Sequence, residues 1–190
     1  ADKGSTLTMK QLLEVLYNLR VTANAASFLK SDLPELPIIK DLAELLSIQK
    51  SLADHIDHCI ISEDEMADNA STELKNIRRS ILRQNESIRA KMNQILNSSD
   101  NRTILQDSIV TMRQGRYVVP VKQEHKTKFA GIIHDQSSTG ATLFIEPQAI
   151  VDLNNELREM ELAEKVEVER ILAELSAEVA EVKDALLNNQ

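Results

Sequence analysis

Apolar residues recur with a period near 3.6 along two long stretches of this chain, and between them the pattern shortens to β-branched runs punctuated by glycine and proline. Thr8 followed three residues later by Gln11 reads as a capping box opening a helix from about Met9 to Lys30, because each side chain satisfies the other's free backbone donor. Leu12, Leu13, Leu16, Leu19 and Ala23 form its apolar stripe, the spacing of one helix face. Asp32-Leu33-Pro34-Glu35-Leu36-Pro37 ends it, since each proline disfavours helix at the residue before it. A second helix is predicted from Ile38 to Ile60, with Leu42, Leu45, Leu46, Ile48, Leu52 and Ile56 turned to a core. Together these make a small helical bundle, read as part of a larger parent core.

Ser71 is the expected N-cap of a long helix reaching about Asn97, with Glu73 suiting the positive end of its dipole. Leu74, Ile77, Ile81, Ile88 and Ile95 fit a heptad seam, with Gln84 and Lys91 at its weak positions. Its outer face carries Lys75, Arg78, Arg79, Arg83, Arg89 and Lys91 against Glu73 and Glu86. That face reads first as a solvated surface and second as a stripe facing nucleic acid. Pro147 is placed in the first turn of a further helix running to about Leu187. Ile150, Leu153, Leu157 and Met160 begin its seam, which Val168, Ile171, Leu175 and Val182 resume after a four-residue offset, a stutter. At about 1.5 Å per residue the two arms would reach roughly 40 and 60 Å. They pair most simply antiparallel, with an intermolecular coiled coil as the alternative.

The segment between them, 105–147, holds three of the four glycines and two of the four prolines. Ser108–Arg113 and Arg116–Lys122 read as strands joined by a Gln114-Gly115 turn, with glycine where positive φ is needed. Pro120 lacks a donor, so its strand is expected at an edge or with a bulge. Ala130–His134 and Thr142–Ile145 form a second hairpin about residues 135–140. One face of this sheet is expected to rest on the helix ends and the other to carry Arg113, Arg116, Lys122 and Lys128.

Composition narrows the class. The chain has no Trp, two Tyr, three Phe and few glycines or prolines, which suits an elongated, mainly helical protein. No apolar run approaches a bilayer span, and no signal-peptide core is present. The start at Ala1 rather than Met reads as a segment of a longer protein, and the single Cys59 points to a reducing, cytoplasmic setting. The net charge of −8 is unevenly spread: residues 102–135 hold six basic and three acidic side chains, whereas residues 136–190 hold four and twelve. Because salt screens charges beyond roughly 8–10 Å, the local field decides what a surface attracts. The β segment is a basic island in an acidic protein.

The candidate binding residues follow from that island. Arg113, Arg116, Lys122, Lys126 and Lys128 suit sequence-independent phosphate contacts, set against ordinary scattered surface charge. Ser137, Ser138 and Thr139, beside Gly140, offer hydroxyls and amides to a phosphate, though a plain hairpin loop uses the same residues. Phe129 and Phe144 read as core, so base stacking on aromatics is not expected. His55, His58 and Cys59 share a helical stretch but fall short of a four-ligand metal site. His134-Asp135 with Ser137 is no triad, because successive strand side chains point to opposite faces. No phosphate-binding G-x-x-x-x-G-K-[ST] loop occurs. No catalytic residue, metal or cofactor is therefore expected in this segment.

One resemblance covers nearly the whole chain. Its residues are Leu105-Gln106-Asp107, Val110-Thr111, Gly115-Arg116-Tyr117-Val118, Pro120-Val121-Lys122, Gly131-Ile132-Ile133-His134-Asp135, Ser137, the uninterrupted Gly140–Pro147 string, and Leu153-Asn154-Asn155-Glu156-Leu157-Arg158-Glu159. Ala70-Ser71, Glu73-Leu74 and Ile77-Arg78 add the start of the first long helix. In these the chain resembles the second paralogue group of the bacterial MutS family, which carries a C-terminal Smr nuclease. Thr139 stands where that pattern leads one to expect serine.

The resemblance implies a core, lever and clamp segment of a homodimeric ATPase whose nucleotide (ATP and Mg) and nuclease sites lie outside this stretch. It also implies a grip on double-stranded or branched DNA, or on ribosomal RNA, in recombination suppression or ribosome rescue. The resulting expectation is a mainly α fold: a helical bundle and two long antiparallel lever helices carrying a small inserted antiparallel β clamp module. The boundaries are 1–70 for the helical base, 71–99 for the ascending helix, 100–146 for the β module and 147–190 for the descending helix. The alternative function is a protein-interaction or coiled-coil dimerisation module without nucleic-acid contact.

Overall fold

Local capping sets where the helices begin. In the structure, a computed structural model that describes residues 5–31, 41 and 43–189, the Thr8 N–H donates to Gln11 Oε1 at 2.9 Å and the Gln11 N–H to Thr8 Oγ1 at 3.3 Å. The reciprocal box opens α1, Met9–Ser31, and Leu12, Leu16, Leu19 and Ala26 are buried along it. Ser71 accepts from the Leu74 N–H at 2.9 Å and opens α3, Thr72–Asn97. The prolines expected to end α1 lie outside the described residues, as do residues 38–40 and Leu42 of the predicted second helix.

That second helix is interrupted rather than continuous. Asp41, Ala43 and Glu44 are helical, residues 45–49 are not, and the helix resumes as α2, Lys50–Cys59, burying Leu52, Ile56 and Cys59. The Asn189 side chain accepts from the Ser47 N–H and donates to the Ser47 carbonyl, both at 2.9 Å. Those contacts commit the Ser47 backbone, so Leu45 and Ile48 are exposed and Leu46 half-buried rather than in the core.

The sheet has four antiparallel strands in the order β1-β2-β4-β3, with β1 Thr111–Arg113, β2 Arg116–Lys122, β3 Gly131–Gln136 and β4 Thr142–Pro147. Gln114 at φ 52° and Gly115 at φ 75° make the tight β1–β2 turn, the twist that a two-residue hairpin prefers. Contrary to expectation, β2 is an inner strand and the bulge lies in β3, between Ile133 and Asp135. Pro120 is tolerated because its carbonyl accepts from the Gln106 N–H at 2.9 Å. A strand residue turns its N–H and C=O to the same side, so the missing donor faces the side where β1 has already ended. Pro147 ends β4 instead of starting a helix; a short 3-10 turn, Gln148–Ile150, leads into α4, Val151–Glu181. The helix breaks at Val182, short of the expected end, and α5 spans Lys183–Asn188.

Two compact units divide the chain: a helical unit of Ala1–Asn76 with Lys165–Gln190, and a sheet unit of Ile77–Glu164. In the helical unit α1, α2 and the C-terminal part of α4 enclose Leu12, Leu16, Ile56, Met66, Leu74 and Leu175. Glu167 is buried there, accepting from Ser71 Oγ at 2.6 Å and from Arg170 at 2.9 Å. Those hydrogen bonds, Arg170's foremost, hold its carboxyl below the usual carboxylate range, and Glu167 raises the Arg170 guanidinium in return.

In the sheet unit one sheet face packs on helices: Val119, Val121, Leu143 and Ile145 meet Ile88 and Met92 of α3 and Leu157 of α4. The α3 and α4 segments of this unit run antiparallel, tied by Arg78 Nε to Glu164 Oε1 at 2.7 Å and by Gln84 Nε2 to the Leu153 carbonyl at 3.0 Å. The seam takes Met92 rather than Lys91, which is exposed, because a straight helix drifts from a strict seven-residue repeat. Among the described residues, no helix is long and apolar enough to cross a membrane.

Candidate nucleic-acid interface

The strand register decides which cations share a surface. Arg113 pairs across the hairpin with Arg116, and alternation along β2 puts Lys122 on the same face. Two like charges directly opposite repel, and each arginine has its own counterweight. Arg113 bonds Asp135 Oδ2 at 3.0 Å and lies 4.0 Å over the Phe144 ring. Arg116 bonds Glu146 Oε1 at 2.9 Å and Asn155 Oδ1 at 2.6 Å.

Glu146 is fully buried, and a buried carboxylate is tolerable only with charge-assisted partners. Besides Arg116 it has the Asn154 amide on Oε1 at 2.7 Å and His134 Nε2 on Oε2 at 2.6 Å. His134 therefore engages Glu146, while its neighbour Asp135 serves Arg113. The Asn154 amide also accepts from the Tyr117 N–H at 3.5 Å and donates to the Tyr117 carbonyl at 3.4 Å. Continuing the β2–β4 register, Tyr117 would face Pro147, which has no donor. A helix side chain thus stands in for the strand there. The Tyr117 hydroxyl donates to Asn85 Oδ1 on α3 at 2.6 Å, closing the network.

The remaining candidates lie elsewhere. β2 runs away from this network, so Lys122 lies at the far end of the sheet, where its Nζ donates to the Thr103 carbonyl at 3.1 Å. The Ser137–Gly140 loop is at that same end, joined by the Gln123 N–H to the Ala141 carbonyl at 2.9 Å. Ser137 is half-buried, and its hydroxyl accepts from the Thr142 N–H at 3.1 Å; Ser138 and Thr139 are exposed. Gly140 takes φ 75°, a value that favours glycine. An open cleft of about 470 Å³ adjoins them, lined by Gln106, Lys122, Gln123, Glu124 and Ala141. Lys126 and Lys128 belong to the 3-10 crossover Gln123–Lys128, which leads back to the start of β3 and ends at Phe129 in the core cluster. Both lysines are exposed and have no acidic partner among the described residues.

The eight residues thus divide into a braced pair, Arg113 and Arg116; a far-end group, Lys122 with Ser137, Ser138 and Thr139; and the crossover lysines. Charge counting missed Asn85, Glu146, Asn154 and Asn155. The available signal was an acid inside the apolar string Leu143-Phe144-Ile145-Glu146-Pro147. In the helical unit, His55 bonds Glu178 at 2.9 Å, His58 the Asn69 carbonyl at 3.0 Å, and Cys59 is buried. Among the described residues no trio of His, Cys, Asp or Glu is grouped as a metal site would need.

No protein-family model matches the chain. It is 52% identical over 189 residues to "Endonuclease MutS2" of Alkaliphilus oremlandii (strain OhILAs), covering 98% of this chain and 24% of that protein. It is 50% identical over 189 residues to the protein of the same name from Alkaliphilus metalliredigens (strain QYMF), with the same coverage. For that of Clostridioides difficile (strain 630) the identity is 48% over 189 residues, covering 100% of this chain and 24% of the relative. The chain thus spans about a quarter of the length of these relatives.

Proposed function

We propose that this chain, a segment belonging to the MutS2 family, grips double-stranded or branched nucleic acid through phosphate contacts and performs no chemistry itself. In this reading 100–146 is the clamp, 71–99 and 147–190 are the lever helices, and 1–70 is their base. ATP, Mg and the nuclease site belong to other parts of a homodimeric, cytoplasmic parent. Lys122, Lys126, Lys128, Ser138 and Thr139 touch phosphates, Ser137 shapes their loop, and Arg113 and Arg116 brace the sheet.

The observation that carries the reading is the pair Lys126 and Lys128, exposed and unpartnered in the same sheet unit whose Glu146 network has its charges matched. Such cations release counterions from a duplex and make affinity fall with salt. Fluorescence anisotropy with duplex, four-way-junction DNA and structured RNA, at about 50 and about 200 mM salt, tests it. Steeply salt-dependent binding that is lost in a folded Lys122/Lys126/Lys128→Ala variant is expected. Salt-insensitive binding, or none to any of the three, overturns it.

A second reading, a protein-docking module, has one observation behind it: Tyr17 and Val21, one turn apart on α1, are 69% and 47% exposed. Exposed apolar patches mark interaction sites, and this reading predicts partner binding indifferent to salt.

A further inference from the structure

We propose that the solvent face of α3 within the sheet unit is a second phosphate-contact surface, carried by Arg79, Arg83, Arg89 and Lys91. This rests on the nucleic-acid reading of the module and extends it beyond the sheet. Over residues 77–97, α3 holds five basic side chains and one acidic; over 151–164, α4 holds five acidic and one basic. Charges that served only to join the helices would be paired across their seam, yet of the five only Arg78 is, with Glu164 at 2.7 Å. Arg79, Arg89 and Lys91 are exposed, and Arg83 reaches no further than the Ser80 hydroxyl on its own helix. None of the four has an acidic partner among the described residues.

Their placement works against the helix that holds them. At about 100° per residue, Arg79 and Arg83 lie within about 40° of each other, opposite the buried Ile88 and Met92, and Arg89 and Lys91 lie about 100° to either side of that pair. Like charges at i and i+4 destabilise a helix, and a surface built only for solubility intersperses its signs. Here Glu86 alone interrupts the row. From Arg79 to Lys91 the rise is about 18 Å, room for several phosphates on a duplex bearing one charge per roughly 1.7 Å. The row and the crossover lysines belong to one compact unit, so a single polyanion is the partner both would recruit.

The test is the salt dependence of duplex binding by the whole chain, by an Arg79→Gln/Arg83→Gln/Arg89→Gln/Lys91→Gln variant, and by a matched variant that removes Lys10, Arg20, Lys30 and Lys50 from the helical unit. Glutamine keeps helix propensity, and far-UV circular dichroism confirms the fold. The slope of log affinity against log salt should become shallower by about 0.9 per lost contact, about 3 to 4 for all four, with the matched variant unchanged. An unchanged slope in the α3 variant overturns the proposal, as does an equal loss in the matched variant. If the α3 variant alone fails while Lys126→Gln/Lys128→Gln weakens binding, only the extension falls. If the unaltered chain binds no nucleic acid with salt dependence, the module reading fails and takes the extension with it.

Discussion

At the Glu146 end of the sheet, Arg113, Arg116 and His134 each have an anionic partner within 3.0 Å, and the central carboxylate is fully buried. Along the crossover and the far loop, Lys126, Lys128, Ser138 and Thr139 point into solvent. The same kinds of residue, within one short basic segment, have opposite employment. An arginine paired with a carboxylate helps hold a fold together, whereas a lysine left open is available to an outside anion. What a cation does is settled by its partners more than by its presence in the count.

The largest break in that contrast should come from Glu146→Ala, which leaves Arg116, the Asn154 amide and His134 facing a buried site without its charge. A loss of about 3 kcal/mol or more is expected by urea denaturation, and a loss below about 1 kcal/mol would erase the distinction between the two ends. Gly131→Ala should come next. A methyl there would land on the Glu146 carbonyl oxygen and the Ile145 side chain, costing about 1–3 kcal/mol and speeding amide exchange along β3.

Lys126→Gln/Lys128→Gln sharpens the contrast from the other side. Stability should stay within about 0.5 kcal/mol, while the salt slope of nucleic-acid binding becomes shallower by about 1.8. The smallest effect belongs to Glu167, whose carboxyl is held low by Arg170 and Ser71. Its folded value lies below its unfolded one, so its contribution is present above the ordinary value near ~4.3 and fades as pH falls through the folded value. Glu167→Gln should therefore lower the melting temperature modestly at pH 7, with the difference shrinking toward zero as pH falls below the usual carboxylate range.

Features encoded by neighbouring residues were legible in the sequence. The Thr8–Gln11 box, the Ser71 cap, the Gln114-Gly115 turn and the two hairpins need only local information, and all formed. Features set by distant partners were not. The predicted second helix is interrupted at residues 45–49, where Asn189 engages Ser47 across 142 positions. The inner position of β2 depends on a crossover that no periodicity announces. Arg116 looked like a surface cation until Glu146, 30 positions on, was brought against it. Composition located the basic island correctly but said nothing of which charges were already matched.

Asn154 has a mechanical meaning. Its amide supplies the rung that β4 lacks opposite Tyr117, so the ladder of the sheet is completed by the first turn of α4. Rolling that helix by one residue, about 100°, would swing the amide off the strand and strip Glu146 of a donor in the same motion. The first turn of α4 and the sheet are thus joined through Asn154, and a roll of that turn would be felt in the ladder.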